Sequence, residues 1–581
     1  MSDDILEYYR RELSYLRAQS ADFAARYPKV AQRLVLSGGE SADPHTERLI
    51  ESVAFLTARV HRDLDRDFPT VAGAMLDNLC PSLTQPVPAM TVVQMTLDSS
   101  QGKVMAGMPV ARGAMLSTTA AGGENCRFQV AWDTTLWPLR VAAIKLEDTR
   151  TLRLDLRCDD GIDVAELELD TLRLHLAGDL LTTMPLHELL VSGMERIELQ
   201  PGGGGLHRLG PNSLSEVGFA EDEAILALPT QAHPAYALLQ EYFAFPRKFQ
   251  FFDLRGLRGL LGAGQGFSLR FIFNRSARVL SQLAADNFRL GCVPAVNLFP
   301  VTSEPIRLDR RHYEYLLVPD YQRDAVTEVH SVVAVTSSDP RAERPEIIPS
   351  VFADAADGEA GVFWLLRRET SLRKGINGTD AYLSFVDRSD VRAMPAEPVV
   401  YAQLLCTNRQ LAEQIGPGTR FYGEGISTST MIRALYQPSA QRPPAMEAKA
   451  LWSLVALLRL NHRSLVDGTT GVHTLQQMLM LFAGDSARDQ AQVRGVKSMS
   501  ATVATARLGR DTWRGHCRGT DIVLEFDADA FVGTSPLVLA GVLSRFFALY
   551  TSANSFVRLA VWRGGEPWMQ WPAMSGRQCL I

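Results

Sequence analysis

The sequence predicts an α+β, multidomain protein with an N-terminal helical block, a β-rich middle (antiparallel sheet or sandwich) and a C-terminal α+β domain. Three observations predict it. Apolar residues between Asp3 and Leu79 recur at helical spacing, the period drops to two from Thr91, and both periods mix beyond Pro444. At 581 residues the chain is too long for one core, and 46% hydrophobic with 21% charged residues is ordinary for a folded protein. The expected division is 1–88, 89–328, 329–436 and 437–581, with the two β-rich stretches either separate or parts of one unit.

In the helical block, Leu6, Tyr9, Leu13, Leu16, Phe23 and Tyr27 recur at steps of three, four and seven and share one helix face. Asp3 or Asp4 suits the start, and Pro28 stops or kinks the helix. A second helix follows Ser41-Ala42-Asp43-Pro44: Asp43 suits the N-cap, Pro44 the first turn and Glu47 the positive end. Its Leu49, Ile50, Val53, Phe55, Leu56, Val60 and Leu64 fill more than one narrow stripe. A third short helix is expected over Val71 to Leu79. A block this apolar needs something to lie against, either its own chain or another.

Pro81, Pro86 and Pro88 form a rigid, non-helical exit. Alternating strands are then expected at Thr91–Leu97, Leu152–Cys158, Leu167–Leu169, Leu172–Leu176, Glu195–Leu199 and Ala224–Leu228. His233 to Tyr242 reads as a helix. Beyond it lie Tyr242, Phe243, Phe245, Phe249, Phe251 and Phe252, read as a core cluster, with Arg247 and Lys248 solvated. Phe267–Phe273 is a strand. Gly291 to Pro300 has no period, which implies a fixed, irregular segment with Asn297 bonding nearby backbone. Strands resume at Tyr313–Val318, Val362–Arg367, Ala381–Val386 and Val399–Cys406. In the last stretch, helices are expected at Lys449–Leu460, Leu475–Phe482 and from Ser535-Pro536, and strands at Val503–Leu508, Ile522–Phe526, Phe556–Val561 and Trp568–Trp571.

Chemistry is hard to find in this chain. A net charge of −6 argues against a general nucleic-acid binder. No apolar run is long enough to span a bilayer, and the acidic opening Met-Ser-Asp-Asp lacks the apolar core of a secretory signal. The seven cysteines are widely spaced without a CxxC, which fits a reducing cytoplasm and neither zinc nor a disulfide framework. His187-Glu188 lacks the second histidine of a zincin, His312-Tyr313-Glu314 lacks a following PCxxC, and no GxSxG occurs. The glycines at 202–205 and 262–266 read as loops. His516 and Cys517 are neighbours in an extended stretch and point to opposite faces. No catalytic residue, cofactor or metal ligand is expected.

Several stretches carry a resemblance. Tyr8 to Arg17, Phe23 to Pro28, Asp43 to Ile50 and Phe68-Pro69 are similar to the opening of the TssF family (also VasA or ImpG), the baseplate subunit of bacterial type VI secretion systems. Phe245 to Leu254, Cys292 to Phe299, Glu304-Pro305-Ile306, Val318-Pro319-Asp320, Leu460-Asn461-His462, Gly519 to Ile522, Arg545 to Tyr550 and Asn554-Ser555-Phe556 extend the likeness along the whole chain. Arg514 to Gly519 departs from the simpler Gly-Arg-Gly turn the family suggests. The resemblance implies a structural, non-enzymatic wedge subunit. Two copies would wrap one TssG through their N-terminal helices, and TssK would join the wedge to a membrane complex. The wedges would surround the spike hub (VgrG) and, with sheath-initiating baseplate proteins, form the platform on which the sheath polymerises. The C-terminal domain would contact a neighbouring wedge or the hub. The implied location is cytoplasmic, docked at the inner membrane through other subunits. On this reading Leu13, Leu16, Phe23, Leu49, Val53 and Leu56 pack against partner chains, the other reading for each being the core of its own bundle. A tail protein of a prophage-derived contractile particle is the alternative function.

Overall fold

The structure, a computed structural model, describes residues 3–33, 36–37, 40–41, 43–98, 105–120, 122–159, 161–202, 204–226, 234–277, 280, 282–309, 311–337, 346–351, 361–387, 395, 399–446, 448–458, 471–507 and 516–576. It is α+β and divides into two compact units: Met1–Asn78 with Ala445–Ala456, and Leu79–Pro444 with Leu457–Ile581. Among the described residues, the helices of eight or more residues, with one shorter one, are α1 (Asp3–Arg26), α2 (Pro28–Arg33), α3 (Pro44–Leu79), α4 (Leu180–Ser192), α5 (Pro234–Ala244), α6 (Ala448–Leu458), α7 (Gly471–Ala483), α8 (Ala487–Arg494) and α9 (Pro536–Tyr550).

In the first unit the start and stop signals act as their chemistry requires. α1 ends at Arg26 and α2 begins at Pro28, a residue that supplies no N–H to continue the helix before it. The Asp43 carboxylate accepts the His45 N–H at 3.0 Å, its carbonyl accepts the Glu47 N–H at 3.1 Å, and Pro44 opens α3. The separate helix expected over Val71 to Leu79 does not exist: α3 runs unbroken for 36 residues, through Phe68-Pro69. One proline removes one N–H, a penalty of about 3 kcal/mol that the turns on either side outweigh.

The second unit is built around a closed barrel. Its strands run, in neighbour order, Cys292–Val296, Met90–Leu97, Thr430–Ala434, Arg420–Gly423, Met115–Thr119 and Asn125–Val130. Val93 lies opposite Val293 on one side and Ala434 on the other. Val92, Phe128, Val293, Phe421 and Ile432 belong to one core, with Phe128 and Phe421 edge-to-face at 5.4 Å. Strands from both stretches read as β-rich units therefore share one barrel.

The irregular segment expected at Gly291 to Pro300 is corrected here, since Cys292–Val296 is a barrel strand buried at all five positions. Burial on both faces erases the alternation that marks a strand. Pro294 keeps its place because its carbonyl still accepts the Ala131 N–H at 2.9 Å. Asn297 binds farther than expected. Its amide donates to the Arg127 carbonyl at 2.7 Å and to Asn408 Oδ1 at 2.9 Å, and its Oδ1 accepts the Asn408 N–H at 2.7 Å.

Gly291 has φ +64°, and a Cβ there would lie 2.2 Å from the Met95 carbonyl oxygen. Gly291→Ala is therefore expected to destabilise this unit by more than about 1 kcal/mol. Gly256→Ala is the control, because φ is +81° there with nothing within 4 Å of the added methyl. Urea-unfolding midpoints compare the two, and an equal shift would mean that the close contact is irrelevant.

Two further sheets, with central strands Thr151–Cys158, Gly266–Phe273, Thr171–Leu176 and Phe251–Arg255, share a core with α4. Glu328–Ser337, Val399–Thr407 and Thr379–Val386 anchor another pair of sheets around a third core. In the C-terminal sheet, His516–Phe526 and Ser555–Arg563 pair in parallel and α9 connects them. The Ser535 hydroxyl caps α9 by accepting the Leu537 N–H at 3.2 Å.

Several local expectations change. Leu167–Leu169 is not a strand; it follows a 3-10 turn whose Asp163 carboxylate accepts the Ala165 N–H. Residues 224–226 are not a strand either, because a side chain takes the Ile225 and Leu226 N–H groups; residues 227–228 lie outside the described residues. The strand at Tyr313–Val318 shrinks to Tyr315–Leu316. The one placed at Val503–Leu508 instead spans Val496–Arg507, and Leu508 lies outside the described residues.

Candidate interaction surface

On α3 the usual division of an amphipathic helix is inverted. Its described, fully buried side chains in the first four turns are the alanines Ala54 and Ala58. Leu49 (66% exposed), Val53 (43%), Leu56 (60%) and Val60 face solvent. Steps of four, three and four residues put these four on one stripe. Phe55 is exposed beside them. Burying a Leu or Val side chain completely is worth roughly 1.5–3 kcal/mol, and a Leu or Val left half-exposed forgoes a large part of it.

α1 is built alike. Leu6, Tyr15, Phe23 and Tyr27 are exposed, while Tyr9, Leu13 and Leu16 are half-buried. Polar ties link α1 and α3: Arg17 donates to Glu47 Oε1 at 2.6 Å, and His61 Nδ1 lies 2.8 Å from Glu12 Oε1. Of the six residues singled out in the sequence, Phe23, Leu49, Val53 and Leu56 are thus exposed, and Leu13 and Leu16 are half-buried. The sequence reading passed over Tyr15 and Val30, both exposed. Val and Leu alternating along the α3 stripe match the first and fourth heptad positions of two-stranded helical packing.

The second unit shows how its conspicuous residues are used. Tyr242, Phe243, Phe245, Phe249, Phe251 and Phe252 are all buried, so they fill a core as expected. Arg247 and Lys248 overturn the expectation that they are solvated. Lys248 is wholly buried and pairs with Glu241 Oε2, while Glu241 Oε1 accepts the Ile225 and Leu226 N–H groups at 2.7 and 2.8 Å. A buried charge persists only when paired and hydrogen-bonded, and this one is. Arg247 stacks over the Tyr436 ring at 3.6 Å and donates to the Gly178 carbonyl at 2.9 Å.

His187 and Glu188 sit on α4. Burial pushes the His187 imidazole down to about 4, and it packs 5.2 Å from Phe252. Glu188, pushed up by burial, accepts the Ser535 hydroxyl at 2.8 Å. Burial likewise raises the thiols of Cys126 and Cys406 to about 12, which keeps them protonated and unreactive. A cleft of about 820 Å³ lies between Glu216, Phe219, Leu238 and Arg545. Within it Glu223 serves the backbone, its Oε2 accepting the N–H groups of Gly218, Phe219 and Ala220. Among the described residues no cluster of three or more His, Cys, Asp or Glu could hold a metal, and no helix is long and apolar enough to cross a membrane.

The family profile described as "Type VI secretion system, TssF" matches residues 1–578. The chain belongs to the TssF family. "Type VI secretion system component TssF1" of Pseudomonas aeruginosa is 33% identical over a 616-residue alignment that covers 99% of each chain. Two solved structures share the fold at 23% identity. A chain of the TssK-TssF-TssG baseplate subcomplex, determined by cryo-electron microscopy, has a TM-score of 0.73, with 92% of this chain and 100% of that one covered. A chain of "the baseplate complex from the type VI secretion system" has a TM-score of 0.59, with 99% and 100% covered. This TssF-family chain is a type VI secretion component, and its exposed apolar helices stand at the front of a chain that matches its relatives end to end.

Proposed function

We propose that this chain is a structural subunit of the baseplate wedge, and that α1 and α3 pack with a second copy of the chain and with TssG. The observation that carries it is the stripe of Leu49, Val53, Leu56 and Val60 left facing solvent while the alanines of the same helix are covered. The fold shared with a chain of a TssK-TssF-TssG subcomplex supports TssG and TssK as partners. In the assembled particle such wedges surround the spike hub and form the platform on which the contractile sheath polymerises. The working compartment is the cytoplasm, with attachment to the inner membrane through other subunits. The chain's part is mechanical, without catalysis or cofactor.

The test is co-purification with TssG after Leu16→Asp combined with Leu56→Asp. A carboxylate at each position has to be desolvated on association, so capture is expected to fall at least tenfold while the circular dichroism of the chain is unchanged. Undiminished capture by a folded double variant would remove the bundle from this reading.

A further inference from the structure

The C-terminal sheet ends on a long strand with an open edge. In neighbour order the sheet runs Val496–Arg507, His516–Phe526, Ser555–Arg563 and Glu566–Gln570, so among the described residues Val496–Arg507 has a partner on one side alone. That inner side pairs residue by residue from Ser498↔Glu525 to Arg507↔His516. Among the described residues, no hydrogen bond outside this pairing involves residues 499–506.

Proteins normally blunt such an edge with charge, proline, a bulge or brevity. Here Ser498-Met499-Ser500-Ala501-Thr502-Val503-Ala504-Thr505-Ala506 carries no charge and no proline. The one register irregularity of the pair lies between Val496 and Ser498, at the base, and leaves the rest regular. Nine residues at about 3.3 Å each give an open backbone edge roughly 30 Å long. Val503 on it is 71% exposed. An edge of this kind recognises another extended strand through main-chain hydrogen bonds.

We propose that this edge pairs with the same edge of a second copy of the chain, antiparallel about a two-fold axis. The sequence of the strand selects that occupant and its register. Centred on Ala501, the pairing sets Met499 opposite Val503 twice and Ser500 opposite Thr502 twice, and it places Lys497 opposite Thr505, so no two charges of like sign meet. Centred on Thr502 it would oppose Lys497 to Arg507, two cations. A two-fold axis requires a surface complementary to itself, and the Ala501 register provides one. A single strand pair is smaller than a stable interface needs, so the pairing acts where copies are held close together. It rests on the wedge reading for that local concentration alone.

The test is oxidative cross-linking of the full-length protein, purified and in complex with TssG. In the Ala501 register the two Ala501 Cα atoms face each other at a distance a disulfide spans. Ala501→Cys is expected to form a disulfide dimer at least tenfold faster than Val532→Cys, although Val532 is 69% exposed and Ala501 is half-buried, with the wild-type chain reporting the native thiols. Mixing Ser500→Cys with Thr502→Cys, both at exposed positions and each differently tagged, is expected to give the mixed dimer in excess over either homodimer. Adding Thr502→Lys and Ala504→Lys is expected to abolish the Ala501→Cys dimer while the circular dichroism of the chain is unchanged. Equal rates for Ala501→Cys and Val532→Cys overturn the proposal, as does a dimer indifferent to the lysines. If the lysines release another protein from the complex while Ala501→Cys gives no dimer, the edge takes a strand from that protein and the second-copy occupant is wrong. None of these variants touches α1 or α3, so failure here and failure of TssG capture are separate results.

Discussion

Lys248→Met is expected to destabilise the second unit by roughly 3–5 kcal/mol, among the largest losses available to a single substitution. The ammonium it removes is wholly buried against Glu241, so the carboxylate is left as an unpaired charge in the interior. Glu241 cannot simply turn to solvent, because its other oxygen holds the Ile225 and Leu226 N–H groups. Combining Lys248→Met with Glu241→Gln neutralises the site and keeps that acceptor, and is expected to recover most of the loss. Urea-unfolding midpoints followed by tryptophan fluorescence measure both; Trp132 belongs to the core that also holds Ile225 and Leu226. A single variant within about 0.5 kcal/mol of the parent would mean that water reaches the pair. A double variant no better than the single one would mean that packing, not charge, holds Lys248.

The second large effect is acid lability. Burial pushes His187 down to about 4; burial, helped by nearby cations, pushes His175 and His330 down to about 3. An unfolded chain takes up a proton at each histidine near pH 6.5 and the folded chain does not, so the unfolded state binds more protons as pH falls. Stability is then complete above about pH 6.5 and declines down to the folded-state values. At pH 5 each histidine accounts for about 2 kcal/mol of loss. Glu188 and Glu216, raised by burial, act in the opposite direction, since their folded forms take up protons before the unfolded ones do. The net loss is therefore smaller than the histidine sum. His187→Phe, beside Phe252, is expected to flatten the dependence of the urea midpoint on pH between 6.5 and 4 by about one histidine's share. An unchanged slope would show that His187 is already protonated in the fold.

Where a residue's role depends on neighbours within a few positions, the sequence was enough to read it. Asp43-Pro44 declares a helix start because the cap and the ring act on the next few residues. The aromatics from Tyr242 to Phe252 declare a core because nothing else accommodates so many of them. The fate of Lys248 was not legible: its solvation depends on whether the backbone turns it toward Glu241, seven residues earlier. α4 was missed because its leucines occupy every face and leave no stripe, with Pro185 inside it. Cys292–Val296 was missed for the matching reason in a strand. The candidate surface shows the same limit. A stripe holding Leu49, Val53 and Leu56 announces that something covers it, and periodicity alone does not say whether the cover is this chain or another.

The barrel also sets an order of events at the ribosome. Val93 waits for Ala434, 341 residues later, before its strand has both neighbours. At 5–20 residues per second that interval is roughly 20–70 s, during which the early strands have an open flank. A nascent chain cut short anywhere before Thr430 cannot seal the ring. Incomplete products therefore keep unpaired barrel edges.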